Sequence, residues 1–282
     1  MKDASSKTAT LVEALPYIRS WRGRTVVVKI GGAALDDAAL AELVAEDIAL
    51  LTLVGIKVVV VHGGGPQVSA EMDKAGIVPR FVGGLRVTDD ESLRIVRQVL
   101  VGTINGDLVG RLTGAGAPAV GLNGSDGHLI VADRTSEGEL GRVGDVTSIR
   151  PDLLHALLTE GYTPVVASVA PTSDGELLNV NADAVAGAVA GAMQAEKLVF
   201  LTNVDGLYRD LGDRDSLLSE VKLAELQDMI PALSEGMRPK AEAAAAALRA
   251  RVGKVHILDG RVGHALLLEI FTDEGIGTQV LP

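Results

Sequence analysis

Val26-Val27-Val28-Lys29-Ile30-Gly31-Gly32-Ala33 and, further on, Val58-Val59-Val60-Val61-His62-Gly63-Gly64-Gly65-Pro66-Gln67 are apolar, β-branched runs that each open onto glycines. A strand with one wet face alternates apolar and polar residues. A run without alternation reads as a strand buried on both faces, as in a parallel sheet covered by helices. Short runs of the same kind recur outward from these two: Thr25 to Ile30, Lys57 to Val61, Ala119 to Leu122, Leu129 to Ala132, Thr163 to Val169, Leu198 to Thr202 and Lys254 to Leu258. Between them, Ala38 to Val54, Pro66 to Ala75, Glu91 to Leu112, Pro151 to Glu160, Asp183 to Gln194, Leu223 to Ser234 and Arg238 to Arg251 read as helices. Strands alternating with helices give an α/β protein with a mainly parallel sheet. Neither a repeat nor a low-complexity linker interrupts the alternation.

Ahead of the first strand, Leu11, Leu15 and Ile18 fall at helical spacing within Thr8 to Trp21 and form an apolar face. That face is buried either on its own subunit or against another. Pro16 lacks a backbone donor, which predicts a kink or break there.

Composition narrows the function. The 282 residues are 47% hydrophobic but only 2% aromatic, so the core is built from Ala, Val, Leu and Ile around 33 glycines. A net charge of −11 repels nucleic-acid backbones and anionic membranes, so any anionic ligand needs a local cationic site. With no cysteine, disulfides, thiolate nucleophiles and iron–sulfur clusters are excluded, and a reducing cytoplasm is the expected compartment. No stretch approaches the roughly 20 apolar residues that span a bilayer. The chain is expected to be soluble.

The glycine motifs carry the chemistry. Glycines at a strand's carboxyl end let backbone N–H groups approach an anion, and Lys29 would place a cation in the same crevice. Gly63-Gly64-Gly65 leads into a helix with Pro66 in its first turn, a plausible nest for phosphate or carboxylate. The run fits neither the P-loop nor the dinucleotide pattern, and His62 reads as packing the turn rather than as a catalyst. In Gly83-Gly84-Leu85-Arg86-Val87-Thr88-Asp89 an arginine suited to a carboxylate precedes a helix cap at Thr88 or Asp89. Asp183, in Asn179-Val180-Asn181-Ala182-Asp183, either caps the next helix or orients lysines. Leu201-Thr202-Asn203-Val204-Asp205-Gly206-Leu207-Tyr208 is a polar loop after a strand, and Gly236-Met237-Arg238-Pro239-Lys240 sets a lysine at a helix start.

In order and spacing this motif set resembles the amino acid kinase family from about Ala14 to the C-terminus. The resemblance implies an αβα sandwich with a mainly parallel central sheet: an N-terminal extension helix over residues 1–24, an acceptor-binding lobe over 25–195 and a nucleotide-binding lobe over 196–282. It further implies transfer of the γ-phosphoryl of ATP, carried with Mg²⁺, to the γ-carboxylate of N-acetyl-L-glutamate. Lys29 and Lys240 resemble the lysines that stabilise the transferring group, and Asp183 their organiser. Gly64, Gly65, Arg86 and Asn179 match acceptor positions. Gly32, Thr202, Asn203, Val204, Asp205, Gly206, Leu207, Ala232, Leu233 and Ser234 match nucleotide positions. No dedicated protein metal site is expected, because Mg²⁺ bridges phosphate oxygens and keeps its waters. No general base is needed either, since a carboxylate with an ordinary pKa of about 4.3 is ionised at neutral pH.

The Leu15-Pro16-Tyr17-Ile18 segment and the stretch His264 to Thr278 resemble the arginine-inhibited, hexameric subgroup, whose extension helix joins dimers into a trimer of dimers. That likeness makes Tyr17, Lys197, His256, Glu269 and Gly275 candidates for binding L-arginine, Glu269 with its guanidinium and Lys197 with its carboxylate. Ser125 stands where the family commonly carries a lysine.

Overall fold

The computed structural model describes residues 2–136, 139–210, 212–272 and 275–282, without the side chains of residues 2–7 and 33. Asp273 and Glu274, within the C-terminal stretch singled out above, lie outside the described residues. An eight-stranded sheet runs in the order Glu220–Lys222, Thr278–Leu281, Lys254–Asp259, Lys197–Thr202, Thr25–Ile30, Lys57–His62, Thr163–Ala167, Ala119–Leu122. All neighbouring pairs are parallel except Thr278–Leu281 against Lys254–Asp259.

Strand side chains alternate between faces, so each valine run supplies two cores. Val26, Val28 and Ile30 join Val58 and Val60 under helices Ala38–Leu53, Gly65–Lys74 and Ala265–Phe271. Val27, Val59 and Val61 face the other way, into a core shared with helices Ala182–Ala192 and Arg238–Arg249. The result is the αβα sandwich. Over part of the second face lies a four-stranded sheet, Ile130–Arg134, Val143–Ile149, Leu177–Val180 and Val169–Pro171.

Three expectations are corrected. The single strand Thr163 to Val169 divides at Ser168: Thr163–Ala167 stays in the main sheet, and Val169–Pro171 pairs with Leu177–Val180 in the small one. Glu91 to Leu112 is helical throughout but not one α-helix, because a π segment, Gln98–Ile104, separates Asp90–Arg97 from Asn105–Gly114. Pro16 does not break its helix, which runs Lys2–Trp21. The carbonyl four residues back belongs to exposed Val12, where water can replace the missing donor.

Among the described side chains of that first helix, burial is uneven. Tyr17, Ile18 and Trp21 are half-buried, whereas Leu11, Val12 and Leu15 stand exposed. No helix among the described residues is long and apolar enough to cross a membrane.

Candidate active site

Lys29 follows Val27 on the alternating strand, so it rises on the face covered by helix Ala182–Ala192. Asn181 caps that helix, its Oδ1 accepting from the N–H of Asp183 at 2.8 Å and of Ala184 at 3.3 Å. The cap is therefore Asn181 and not Asp183, which leaves the Asp183 carboxylate for other work. Lys240 comes from the first turn of helix Arg238–Arg249. The two helices approach closely because Gly187 carries no side chain: a Cβ there would lie 2.9 Å from the Ala243 carbonyl oxygen.

The three charged groups meet on one carboxylate. Lys29 Nζ is 2.8 Å from Asp183 Oδ1, and Lys240 Nζ donates to Oδ2 at 3.2 Å and to the Gly236 carbonyl at 3.1 Å. Burial pushes the Asp183 carboxyl up, but the adjacent ammonium groups of Lys29 and Lys240 outweigh it and hold the carboxyl below its ordinary range. At neutral pH the cluster is two cations on one anion. It is suited to meet an incoming polyanion.

On the Lys29 side lies a cavity of about 200 Å³ lined by Lys29, Asp183, Gly64, Gly65, Arg86 and Asn179 among others. A Cβ at Gly64 would sit 2.3 Å from Ile104 Cδ1 and 2.7 Å from Leu100 Cδ2, so any side chain there would displace both, whereas Gly65 faces open space. Arg86 is stacked on Phe81, 4.7 Å from the ring centroid, and donates to the Gly65 carbonyl and Ser69 Oγ, each at 2.8 Å. Burial lowers its pKa from the ordinary value, Asp73 partly opposing. The Asn179 amide donates to Thr88 Oγ1 at 3.1 Å, and that hydroxyl donates to the Arg86 carbonyl at 2.8 Å, so Asn179 and Arg86 are placed by one chain of bonds. The following helix is capped by Asp89, which accepts from Ser92 N–H at 2.8 Å.

On the Lys240 side a cavity of about 120 Å³ is lined by Thr202, Asn203, Val204, Gly206, Leu207, Leu233 and Ser234, together with Tyr208 and Met237. Three of the expected nucleotide positions, Asp205, Ala232 and Gly32, line neither cavity. Asp205 turns away to accept from Tyr208 Oη at 2.6 Å and from Arg261 at 3.3 Å. Ala232 ends a 3₁₀ turn, Ile230–Ala232, and lines neither cavity. Gly32 is packed beneath Pro66, and its carbonyl accepts from Gln67 Nε2 at 3.1 Å, so it joins the two glycine turns.

Tyr17, Lys197, His256, Glu269 and Gly275 line one further cavity, of about 500 Å³, with Trp21 and Gln279. Glu269 and Lys197, expected at opposite ends of an arginine, are bonded to each other at 2.6 Å. Lys197 Nζ also sits 4.9 Å from the Trp21 ring centroid, and His256 Nδ1 is 2.7 Å from the same Glu269 oxygen. Burial pushes the Glu269 carboxyl up, and the neighbouring His256 and Lys197 more than reverse this. Its other oxygen, Oε2, is buried beside Gly275 and has no hydrogen-bond partner among the described residues.

Sequence reasoning missed Ser168, Phe81, Tyr208, Met237 and Trp21 as lining residues. Tyr208 and Met237 fall inside motifs already quoted, where proximity was the available signal. Phe81 and Trp21 act by stacking under cations from distant positions, which no local pattern announces.

The family profile described as Amino acid kinase family matches residues 24–259. The chain is 49% identical to the acetylglutamate kinase of Synechococcus sp. (strain CC9311), over 99% of both chains. To the acetylglutamate kinase of Frankia casuarinae it is 48% identical, over 99% of this chain and 78% of that one. Among solved structures, N-acetylglutamate synthase from Neisseria gonorrhoeae complexed with coenzyme A and N-acetyl-glutamate aligns with a TM-score of 0.86 at 32% identity. That alignment covers 98% of this chain, which spans 63% of the synthase. A carbamate kinase from Giardia shares the fold, with a TM-score of 0.68 at 17% identity over 92% of this chain and 99% of that one. With strand-end lysine, glycine turns and lysine-bridging aspartate in place on this sandwich, the chain belongs to the amino acid kinase family.

Proposed function

We propose that the protein transfers the γ-phosphoryl group of ATP to the γ-carboxylate of N-acetyl-L-glutamate, giving N-acetyl-L-glutamyl 5-phosphate and ADP, and that L-arginine inhibits it. The observation that carries this reading is Asp183 holding Lys29 and Lys240 at the junction of two cavities, with Lys29 lining one and Lys240 the other.

In the reaction a γ-carboxylate oxygen attacks the γ-phosphorus while the bond to the β-phosphate bridging oxygen breaks, leaving its electron pair on ADP. Charge spreads over the equatorial phosphoryl oxygens, where Lys29 and Lys240 neutralise it. Asp183 keeps both ammonium groups converged. Arg86 faces the α-carboxylate, Asn179 and the Gly64 and Gly65 backbone orient the acceptor, and Thr202, Asn203, Val204, Gly206 and Leu207 with Leu233 and Ser234 hold the nucleotide. With both Asp183 oxygens committed to lysines, Mg²⁺ would be held by the nucleotide rather than by this cluster, and it would supply further positive charge to the transferring group.

Arginine would enter the cavity around Glu269, whose unpartnered Oε2 is an acceptor for a guanidinium. The exposed Leu11, Val12 and Leu15 support the extension helix as the contact between dimers of a hexamer.

Hydroxylamine trapping of the acyl phosphate across N-acetylglutamate, glutamate and aspartate tests the activity. Turnover of N-acetylglutamate with its apparent KM raised by arginine is the expected result, and turnover of free glutamate alone would overturn it. Deleting residues 1–21 should abolish the hexamer in light scattering, and a truncated hexamer would refute that assignment.

A further inference from the structure

His62 is fully buried at the end of strand Lys57–His62, and the phosphoryl-transfer scheme gives it no task. Its surroundings do. Asn105 begins the α-helix that follows the π segment, and it is also buried. Asn105 Nδ2 lies 2.9 Å from the Val165 carbonyl oxygen and 3.0 Å from His62 Nε2. A carbonyl oxygen only accepts, so the atom facing it is the amide nitrogen; its second hydrogen goes to His62 at 3.0 Å rather than to the Leu122 carbonyl, which is 3.5 Å away at the limit of a hydrogen bond. His62 Nε2 must accept, and the ring proton must sit on Nδ1. Nδ1 is 3.0 Å from the Gly63 carbonyl oxygen, to which it donates.

Each step fixes the next. With the Gly63 carbonyl held toward the buried ring, a trans peptide turns the Gly64 N–H to the opposite side, where Gly64 lines the acceptor cavity. The π segment that delivers Asn105 also packs Leu100 and Ile104 against Gly64. On its far side Asn105 fits only because residue 121 is glycine: a Cβ there would lie 2.0 Å from Asn105 Oδ1.

We propose that Asn105 is a positioning residue for the acceptor site, which dictates the tautomer of His62 and through it the orientation of the Gly63–Gly64 peptide. The proposal rests on the reading of that cavity as the acceptor site. Asn105 lines neither of the two cavities that meet at Asp183. Burial, with the charge of Lys29 nearby, also pushes the His62 pKa down to about 4, so the ring remains the neutral relay that this arrangement requires.

The test combines spectroscopy of the intact wild-type protein with steady-state kinetics. In histidine-¹⁵N NMR spectra, His62 should show a protonated Nδ1 and bare Nε2, unchanged between pH 5.5 and 8. Asn105→Asp puts an oxygen against both Nε2 and the Val165 carbonyl. The ring should move its proton to Nε2 or gain a second one. The acceptor KM should rise about tenfold while the ATP KM shifts less than about twofold. His62→Asn carries an amide N–H at the Nδ1 position and should recover most of the acceptor affinity that His62→Ala loses. A wild-type ring protonated at Nε2, or a folded Asn105→Asp protein with unchanged acceptor KM, would overturn the proposal. Should Asn105→Asp fail to fold, the wild-type spectrum and the His62 pair decide. If the wild-type protein phosphorylates none of the acceptors, the proposed activity fails by itself, and the His62 spectrum still decides the tautomer.

Discussion

His62 makes the stability of this protein depend on pH in a window where most carboxylates are silent. Its ring is buried, and burial first, then the charge of Lys29, lowers its pKa from 6.5 to about 4, against the hydrogen bond to Gly63. In the unfolded chain the ring returns to about 6.5. Between those values the unfolded state binds the extra proton, so acid favours unfolding. The stabilisation is fully present above pH 6.5 and is lost as pH falls through about 4. A difference of about 2.5 pKa units is worth about 3 kcal/mol in total, of which about 2 kcal/mol is lost between pH 7.5 and 5. Urea unfolding of wild type and His62→Asn at half-unit pH intervals over that range measures it. The variant cannot titrate at this position, so the difference between the two stabilities should shrink or reverse by about 2 kcal/mol on acidification, whatever the cost of the substitution itself. Two curves that stay parallel would show that His62 is not held neutral, which would also undo the hydrogen-bond chain built on it.

Asp183→Asn should lower kcat by about 10²–10³, because the lysines lose the anion that converges them; near-normal kcat would remove Asp183 from the organising role. Glu269→Gln should raise the arginine concentration for half-inhibition about tenfold by replacing a charged acceptor, and unchanged inhibition would move the arginine site elsewhere. Gly187→Val sets a side chain against the Ala243 carbonyl, 2.9 Å from the Cβ position. It should cost about 1–3 kcal/mol in calorimetry and slow turnover by displacing Lys240, and a variant with native Tm and rate would show that the helices part freely.

Much of this was legible in sequence where one residue's chemistry and its local period coincide. The valine runs were readable because burial on both faces leaves no alternation, and Lys29 stood out as the one charge inside such a run. Asp183 could be located but not assigned. Whether it or Asn181 caps the helix depends on a rotation of one or two positions that the polar cluster Asn179–Asp183 leaves open. Val143–Ile149 went unread because Asp145, Thr147 and Ser148 dilute its apolar pattern, and Thr278–Leu281 because it is short. The division at Ser168 was hidden because apolar residues lie on both sides of that serine and both sheets bury the stretch. Nothing local marks the π segment or the pairing of Asn105 with His62, which depends on contacts spanning distant strands.

The central strand Thr25–Ile30 has one neighbour close in sequence, Lys57–His62, and another, Lys197–Thr202, on the far side of most of the chain. During synthesis, therefore, one edge of Val26-Val27-Val28 can be zipped early while the other stays open until residues beyond 197 leave the ribosome. For that interval the nascent chain carries an apolar, proline-free edge, the kind of template on which chains pair with one another. Stalled or truncated products ending before Lys197 would be expected to aggregate and to draw on chaperones far more than the finished protein does.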